Sequence, residues 1–98
     1  MIVETTNYFA LPGKVDEVVE HRKRGCDLRE MLGLSPGKVY VKISGEGPDV
    51  RWECSFISLA AFEEDMATRA LSAEFAEQRK HMGKLTAKFE RHVQKLVE

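Results

Sequence analysis

Two alternating segments joined by a link that only a turn can occupy constrain this chain most. From Lys38 to Ser44, Val39, Val41 and Ile43 fall on one face and Tyr40, Lys42 and Ser44 on the other. From Val50 to Ile57, Val50, Trp52, Cys54 and Phe56 alternate with Arg51, Glu53, Ser55 and Ile57. A period of two places successive side chains on opposite faces of a strand. Between the segments stands Gly45-Glu46-Gly47-Pro48-Asp49, which favours a turn and disfavours continued pairing. The pair is therefore expected to be a β-hairpin, and a hairpin is marginal alone. Its apolar face requires a partner layer.

The flanking segments supply that layer. Residues 2–11, IVETTNYFAL, are β-branched and aromatic and predict a strand broken by Pro12-Gly13. From Lys14 the spacing becomes helical, with Val15, Val18, Val19, Arg22 and Cys26 on one face. A fray near Gly25 is expected, then resumption through Leu28, Met31 and Leu32, and an end at Gly33 and Ser35-Pro36-Gly37. Ser58 is an expected N-cap for a helix whose stripe is Leu59, Phe62, Met66 and Ala70. Glu63, Glu64 and Asp65 are expected to favour its early turns through the helix dipole. Ser72 recaps, and a second piece runs through Phe75, Arg79 and Met82 to Gly83. Residues 84–97 fit either state. Leu85, Phe89, Val93 and Leu96 have helical spacing, whereas Phe89, Val93 and Val97 also suit a strand that would cover an exposed sheet edge. With a strand there, the order is β-α-β-β-α-β, the split βαβ plan of an α+β ferredoxin-like fold with a four-stranded antiparallel sheet.

Composition bounds the partners. At 98 residues there is room for one domain, residues 1–98. Fifteen Lys and Arg against sixteen Asp and Glu leave no field to attract nucleic acid or an anionic membrane. The basic run Lys80, Lys84, Lys88, Arg91 and Lys95 lacks an aromatic platform and is expected to be a solvated face. No segment has the apolar length of a membrane span. Cys26 and Cys54 form no C-x-x-C and are expected to be reduced, packed thiols. His21, His81 and His92 make no metal-binding spacing, so neither a metal nor a cofactor is expected. The N-terminus lacks the basic flank and apolar segment of a signal peptide, and the cytoplasm is the expected compartment.

Five stretches together look familiar: L-P-G-K at 11–14, G-L-S-P-G at 33–37, G-x-G-P-D at 45–49, W-E-C-S-F-I-S-L-A-A-F-E-E-D at 52–65 and L-S-A-E-F at 71–75. Across nearly the whole chain this pattern resembles the NIPSNAP-like branch of the dimeric α/β-barrel superfamily. The motifs mark fold and not chemistry. The resemblance implies that Lys88–Val97 is a strand, and that two sheets face each other in a homodimer. It also implies a small-molecule cavity between sheet and helices. Such relatives include cofactor-free monooxygenases, haem-degrading enzymes, isomerases and many proteins of no known activity. A haem site would need a tryptophan and a histidine on the second helical region beside an Asn7-like strand residue. This chain has Met66, Arg79 and His81 there, and no tryptophan.

The candidate site follows from where the faces meet. Trp52 and Phe56 lie on the strand face that helices must cover, and Arg22 lies at the centre of the first helix's stripe. Aromatic walls with one cationic anchor suit a small organic anion or enolate, because an arginine fork binds two oxygens at once. Asn7, in mid-strand where asparagine is depleted, is a further polar contact. Each has a structural alternative. Arg22 can pair internally with Glu53 or another carboxylate, Asn7 can face a partner protomer, and His21, off the apolar stripe, reads as solvated. No nucleophile–base pair is legible, so catalytic residues and enzymatic status stay open. The leading expectation is a small-molecule-binding dimeric α/β barrel. The alternatives are a cofactor-independent monooxygenase or isomerase for a small aromatic or enolisable substrate, and an interaction module with a filled core.

Overall fold

The computed structural model describes residues 1–98. The elements are β1 (Ile2–Ala10), α1 (Val15–Met31), β2 (Lys38–Val41), β3 (Val50–Phe56), α2 (Leu59–Ala70), α3 (Ala73–Gly83) and β4 (Thr86–Lys95). The strands form one antiparallel sheet in the order β2-β3-β1-β4. The molecule measures 38 × 35 × 17 Å, thin enough for only two layers. All three helices lie on one side of the sheet.

The ladder defines the two sheet faces. Ile2, Glu4, Thr6 and Tyr8 stand opposite Phe56, Cys54, Trp52 and Val50. Directly opposed residues share a face. On β4 the same register adds Phe89, Arg91 and Val93 to that side. This is the helix-facing side, and its β3 residues are all buried. Val3, Thr5, Asn7, Arg51, Glu53 and Tyr40 belong to the other side, which no helix covers.

Several expectations are met. β4 is a strand over Thr86–Lys95 and closes the β1 edge, so covering the edge prevails over the helical spacing of Leu85, Phe89, Val93 and Leu96. The Ser58 hydroxyl accepts from the Ala61 amide at 3.1 Å, and Ser72 does the same for Phe75 at 3.1 Å. One expectation fails: the fray expected near Gly25 does not occur, and α1 runs through it without a break.

Other expectations need correction. β2 stops at Val41 and not Ser44: one further bond, from the Lys42 amide to the Asp49 carbonyl at 2.9 Å, follows the last ladder pair, and the chain bends from Ser44. Ile43 consequently leaves the sheet and is exposed. Leu59 is also exposed, leaving Phe62 as the buried anchor of α2. Asp65 does not serve the helix dipole; it is buried, for a reason given below.

Candidate functional site

The buried positions of α1 are Val18, His21, Arg22, Gly25, Leu28 and Arg29. Their spacing of three and four residues is that of one helical face, yet half of that face is polar. It packs on a sheet face that is itself partly charged, with Glu4 and Trp52 both almost fully buried. Such groups must find partners within the fold or stay costly. Most do.

Arg29 is completely buried. It makes a bidentate pair with Asp65 of α2, at 3.1 and 2.5 Å, and donates through Nε to the Ser35 carbonyl at 2.6 Å. This is why Asp65 is drawn inside. Glu4 accepts from Arg69 at 3.0 and 2.8 Å and from Arg91 at 2.7 Å. Burial pushes the Glu4 carboxyl up, but the bonds and charges of Arg69 and Arg91 together outweigh it and hold the group below its ordinary value.

Arg22 is different. It is 9% exposed, its Nε is buried without a partner, and no carboxylate lies within ion-pair distance. Glu53, the internal partner considered from sequence, is on the other sheet face and bonds Arg51 at 2.8 Å. The Arg22 guanidinium instead lies over the Trp52 ring, 4.5 Å from its centroid. Burial lowers its pKa from the ordinary arginine value, with Tyr8 and Cys26 as the largest opposing influences. Gly25, one turn on, makes the arrangement possible. A β-carbon there would stand 2.5 Å from Arg22 Nη1 and 3.3 Å from Cζ. The guanidinium therefore occupies space that any other residue at 25 would fill.

These groups surround a cavity of about 410 Å³ between the sheet and the three helices. That volume is in the range of small-ligand sites. Its apolar wall includes Leu28, Trp52, Phe75, Met82 and Phe89. Its charged wall has Arg22, Arg69, Arg79 and Arg91 against Glu4, four cations to one anion. The whole chain has a formal charge of −1, so the positive character is concentrated at the cavity. Tyr8 also lines it, with its phenol pushed above the ordinary value by burial.

Of the residues singled out from sequence, Arg22 and Trp52 line this cavity and touch each other. Phe56 shares their side of the sheet but lies at the far end of β3, paired with Ile2. There it packs edge-on to Phe62, with ring centroids 5.3 Å apart. It belongs to the core and not to the lining. Asn7 points from the opposite sheet face, because it alternates with the cavity residues Thr6 and Tyr8; its Oδ1 is buried and unpartnered. His21 is not solvated: it is 8% exposed, lines the cavity, and its Nε2 is 2.8 Å from the Gln78 carbonyl oxygen. Sequence reasoning missed His21, Glu4, Arg69 and Arg79 as lining residues, and Arg91, expected on a solvated face, instead lines the cavity and bonds Glu4. A glycine inside a helix, three residues after an arginine, was the available signal.

No family model matches the sequence, and no curated protein matches it. Solved structures do match in fold. A NIPSNAP domain protein from Burkholderia xenovorans superposes with a TM-score of 0.77 at 14% identity, over 99% of this chain and 95% of that one. A NIPSNAP family protein from Agrobacterium tumefaciens gives 0.76 at 20% identity, over 99% and 93%. A dimeric protein of unknown function from Bacteroides fragilis gives 0.72 at 12% identity, over 97% and 95%. The likeness extends over the whole chain, and what it establishes is architecture: this protein has the ferredoxin-like fold that NIPSNAP domain proteins share.

Proposed function

We propose that this protein is a homodimeric, NIPSNAP-like binder of small organic anions, with the cavity between sheet and helices as its site. The observation that carries the reading is Arg22. A buried guanidinium without a carboxylate is costly, and it is retained where an anion completes it. The flat apolar wall beside it suits a planar body, and the net positive lining suits a carboxylate or enolate head. An interaction module with a filled core would have no such cavity.

Trp52 is the only tryptophan, so its fluorescence reports directly on occupancy. Titration with benzoate and phenylpyruvate is expected to change that emission saturably. Arg22→Ala should weaken binding about 10–100-fold, the loss of a hydrogen bond to a charged group worth about 1.5–3 kcal/mol. Its melting temperature should move little, because no buried carboxylate is orphaned. Unchanged affinity in Arg22→Ala, or no binding of either probe, would overturn the reading.

Support for the dimer comes from the bare sheet face. Val3, Thr5, Asn7 and Phe9 alternate along the central strand there with no helix above them, and the Asn7 Oδ1 lacks a partner. A second sheet would cover them, as sheets pack face to face about 10 Å apart. The fold-relative from Bacteroides fragilis is itself described as dimeric. Light scattering at micromolar concentration is expected to give about twice the 11.1 kDa chain mass. A monomer that persists at high concentration would contradict it.

A further inference from the structure

We propose that His21 is the proton acceptor of this cavity, and that the site enolises a small α-keto acid. The inference rests on the anion-binding reading and adds a reaction to it. Three observations support it.

The first is the tautomer. His21 Nε2 lies 2.8 Å from the Gln78 backbone carbonyl oxygen. A carbonyl only accepts, so the ring proton is on Nε2, which donates to it. The lone pair of the neutral ring is then on Nδ1. The second is that Nδ1 is buried and has no partner in the protein. Buried acceptors are normally satisfied, and this one belongs to a residue that lines the cavity. A ligand proton would complete it. The third is the company His21 keeps. Arg22 is its neighbour on α1, lines the same cavity and likewise has an unpartnered nitrogen. One group is therefore placed to take a proton and the other to hold the oxygen that becomes negative.

The surroundings keep the ring neutral and ready to accept. Burial lowers the His21 pKa; the Gln78 carbonyl opposes this, while His81, Arg24 and Arg22 lower it further. His81 approaches from α3, with ring centroids 4.5 Å apart. The cavity also presents the Tyr8 phenol and the Arg-paired Glu4 carboxylate from β1, Arg69 from α2, Arg79 from α3 and Arg91 from β4.

The step balances without a co-reactant. Nδ1 takes a proton from the carbon next to the ketone. The C–H bond breaks and an N–H bond forms. The electron pair becomes a carbon–carbon double bond, and the carbonyl π pair moves to oxygen, where the Arg22 guanidinium donates to it. The imidazolium keeps its Nε2 bond to Gln78 and either returns the proton to oxygen, giving the enol, or trades its Nδ1 proton for a solvent deuteron and delivers that to carbon, giving exchange. Nothing is oxidised or reduced.

Phenylpyruvate tests this. Deuterium uptake at its C3 in D₂O is followed by NMR, and its Kd by Trp52 fluorescence, on the full chain. Wild type is expected to accelerate uptake about 100-fold or more over the same concentration of imidazole, within the range for a positioned acid–base group. His21→Gln should lose most of that acceleration while holding Kd within about threefold. His81→Gln should retain it. If phenylpyruvate binds to wild type but exchanges no faster than with imidazole, the catalytic proposal is overturned and the anion site stands, whatever the variants do. Acceleration that survives in His21→Gln also overturns it. Absence of binding removes both.

Discussion

Arg29→Ala should lower the free energy of unfolding by about 3–5 kcal/mol, the cost of breaking a buried ion pair by removing one partner. Stabilities of such domains are about 5–15 kcal/mol, so the loss is a large fraction of the total. The reasoning is local. The Arg29 side chain has no exposure and Asp65 has 6%. Removing the guanidinium leaves the carboxylate in the interior with only Arg69 near it, at 3.6 Å. It also frees the Ser35 carbonyl, which accepts from Arg29 Nε. That bond ties the segment after α1 back onto the helix, so the entry to β2 should loosen as well. Urea denaturation at fixed protein concentration measures the effect, with concentration held because a dimer's stability depends on it. Asp65→Asn should recover part of the loss in the Arg29→Ala background, since it removes the orphaned charge. A loss below about 1 kcal/mol, the size of a surface pair, would show that the interior at this point is wet.

The contrast with Arg22→Ala tests the division of labour on α1. Two arginines seven positions apart both stack near Trp52, at 4.5 and 5.0 Å from its ring. One is fully satisfied by protein and the other is not. Stability should follow Arg29, and ligand affinity should follow Arg22.

This division could not be read from the sequence, and the reason is physical. Elements were legible wherever periodicity and punctuation agreed. The alternation of Val50, Trp52, Cys54 and Phe56 gave β3, and the hydroxyls of Ser58 and Ser72 gave two helix starts. The C-terminal strand needed an argument about the uncovered edge of β1, because Leu85, Phe89, Val93 and Leu96 fit a helix equally well. For α1, the apolar stripe Val15, Val18, Val19 and Cys26 pointed to roughly the correct face. The face actually buried includes His21, Arg22, Gly25 and Arg29. A search for apolar residues assigns polar positions to solvent, so His21 was placed outside. Whether a buried charge is paired depends on residues such as Asp65 and Glu4, whose proximity is set by tertiary contact and not by spacing. Asn7 and Phe56 show the same limit: one alternates onto the other sheet face, and the other sits too far along its strand.

Gly37→Ala should destabilise the fold by about 2–5 kcal/mol and weaken ligand binding with it. Two costs add. Gly37 has φ of +75°, a conformation that costs a residue with a β-carbon about 1–2 kcal/mol. The new methyl would also collide with the Trp52 indole nitrogen and stand 2.7 Å from the Glu53 carbonyl oxygen. Overpacking of this kind typically costs about 1–3 kcal/mol. The Glu53 oxygen is backbone in the ladder between β3 and its neighbours, so it cannot yield cheaply. The indole can, but only by giving up its Nε1 bond to the Pro36 carbonyl, now 2.9 Å, and shifting the surface on which Arg22 rests. Gly33→Ala is the control. Its φ of +78° imposes the same backbone cost, with nothing within 4 Å of the added carbon. It should therefore lose only the first of the two costs and keep wild-type affinity for phenylpyruvate. Equal losses in the two variants would show that the close approach of residue 37 to Trp52 has no energetic weight. A Gly37→Ala protein that is destabilised but binds with unchanged affinity would separate the indole's position from the anion site, and Trp52 would cease to be a wall of that site.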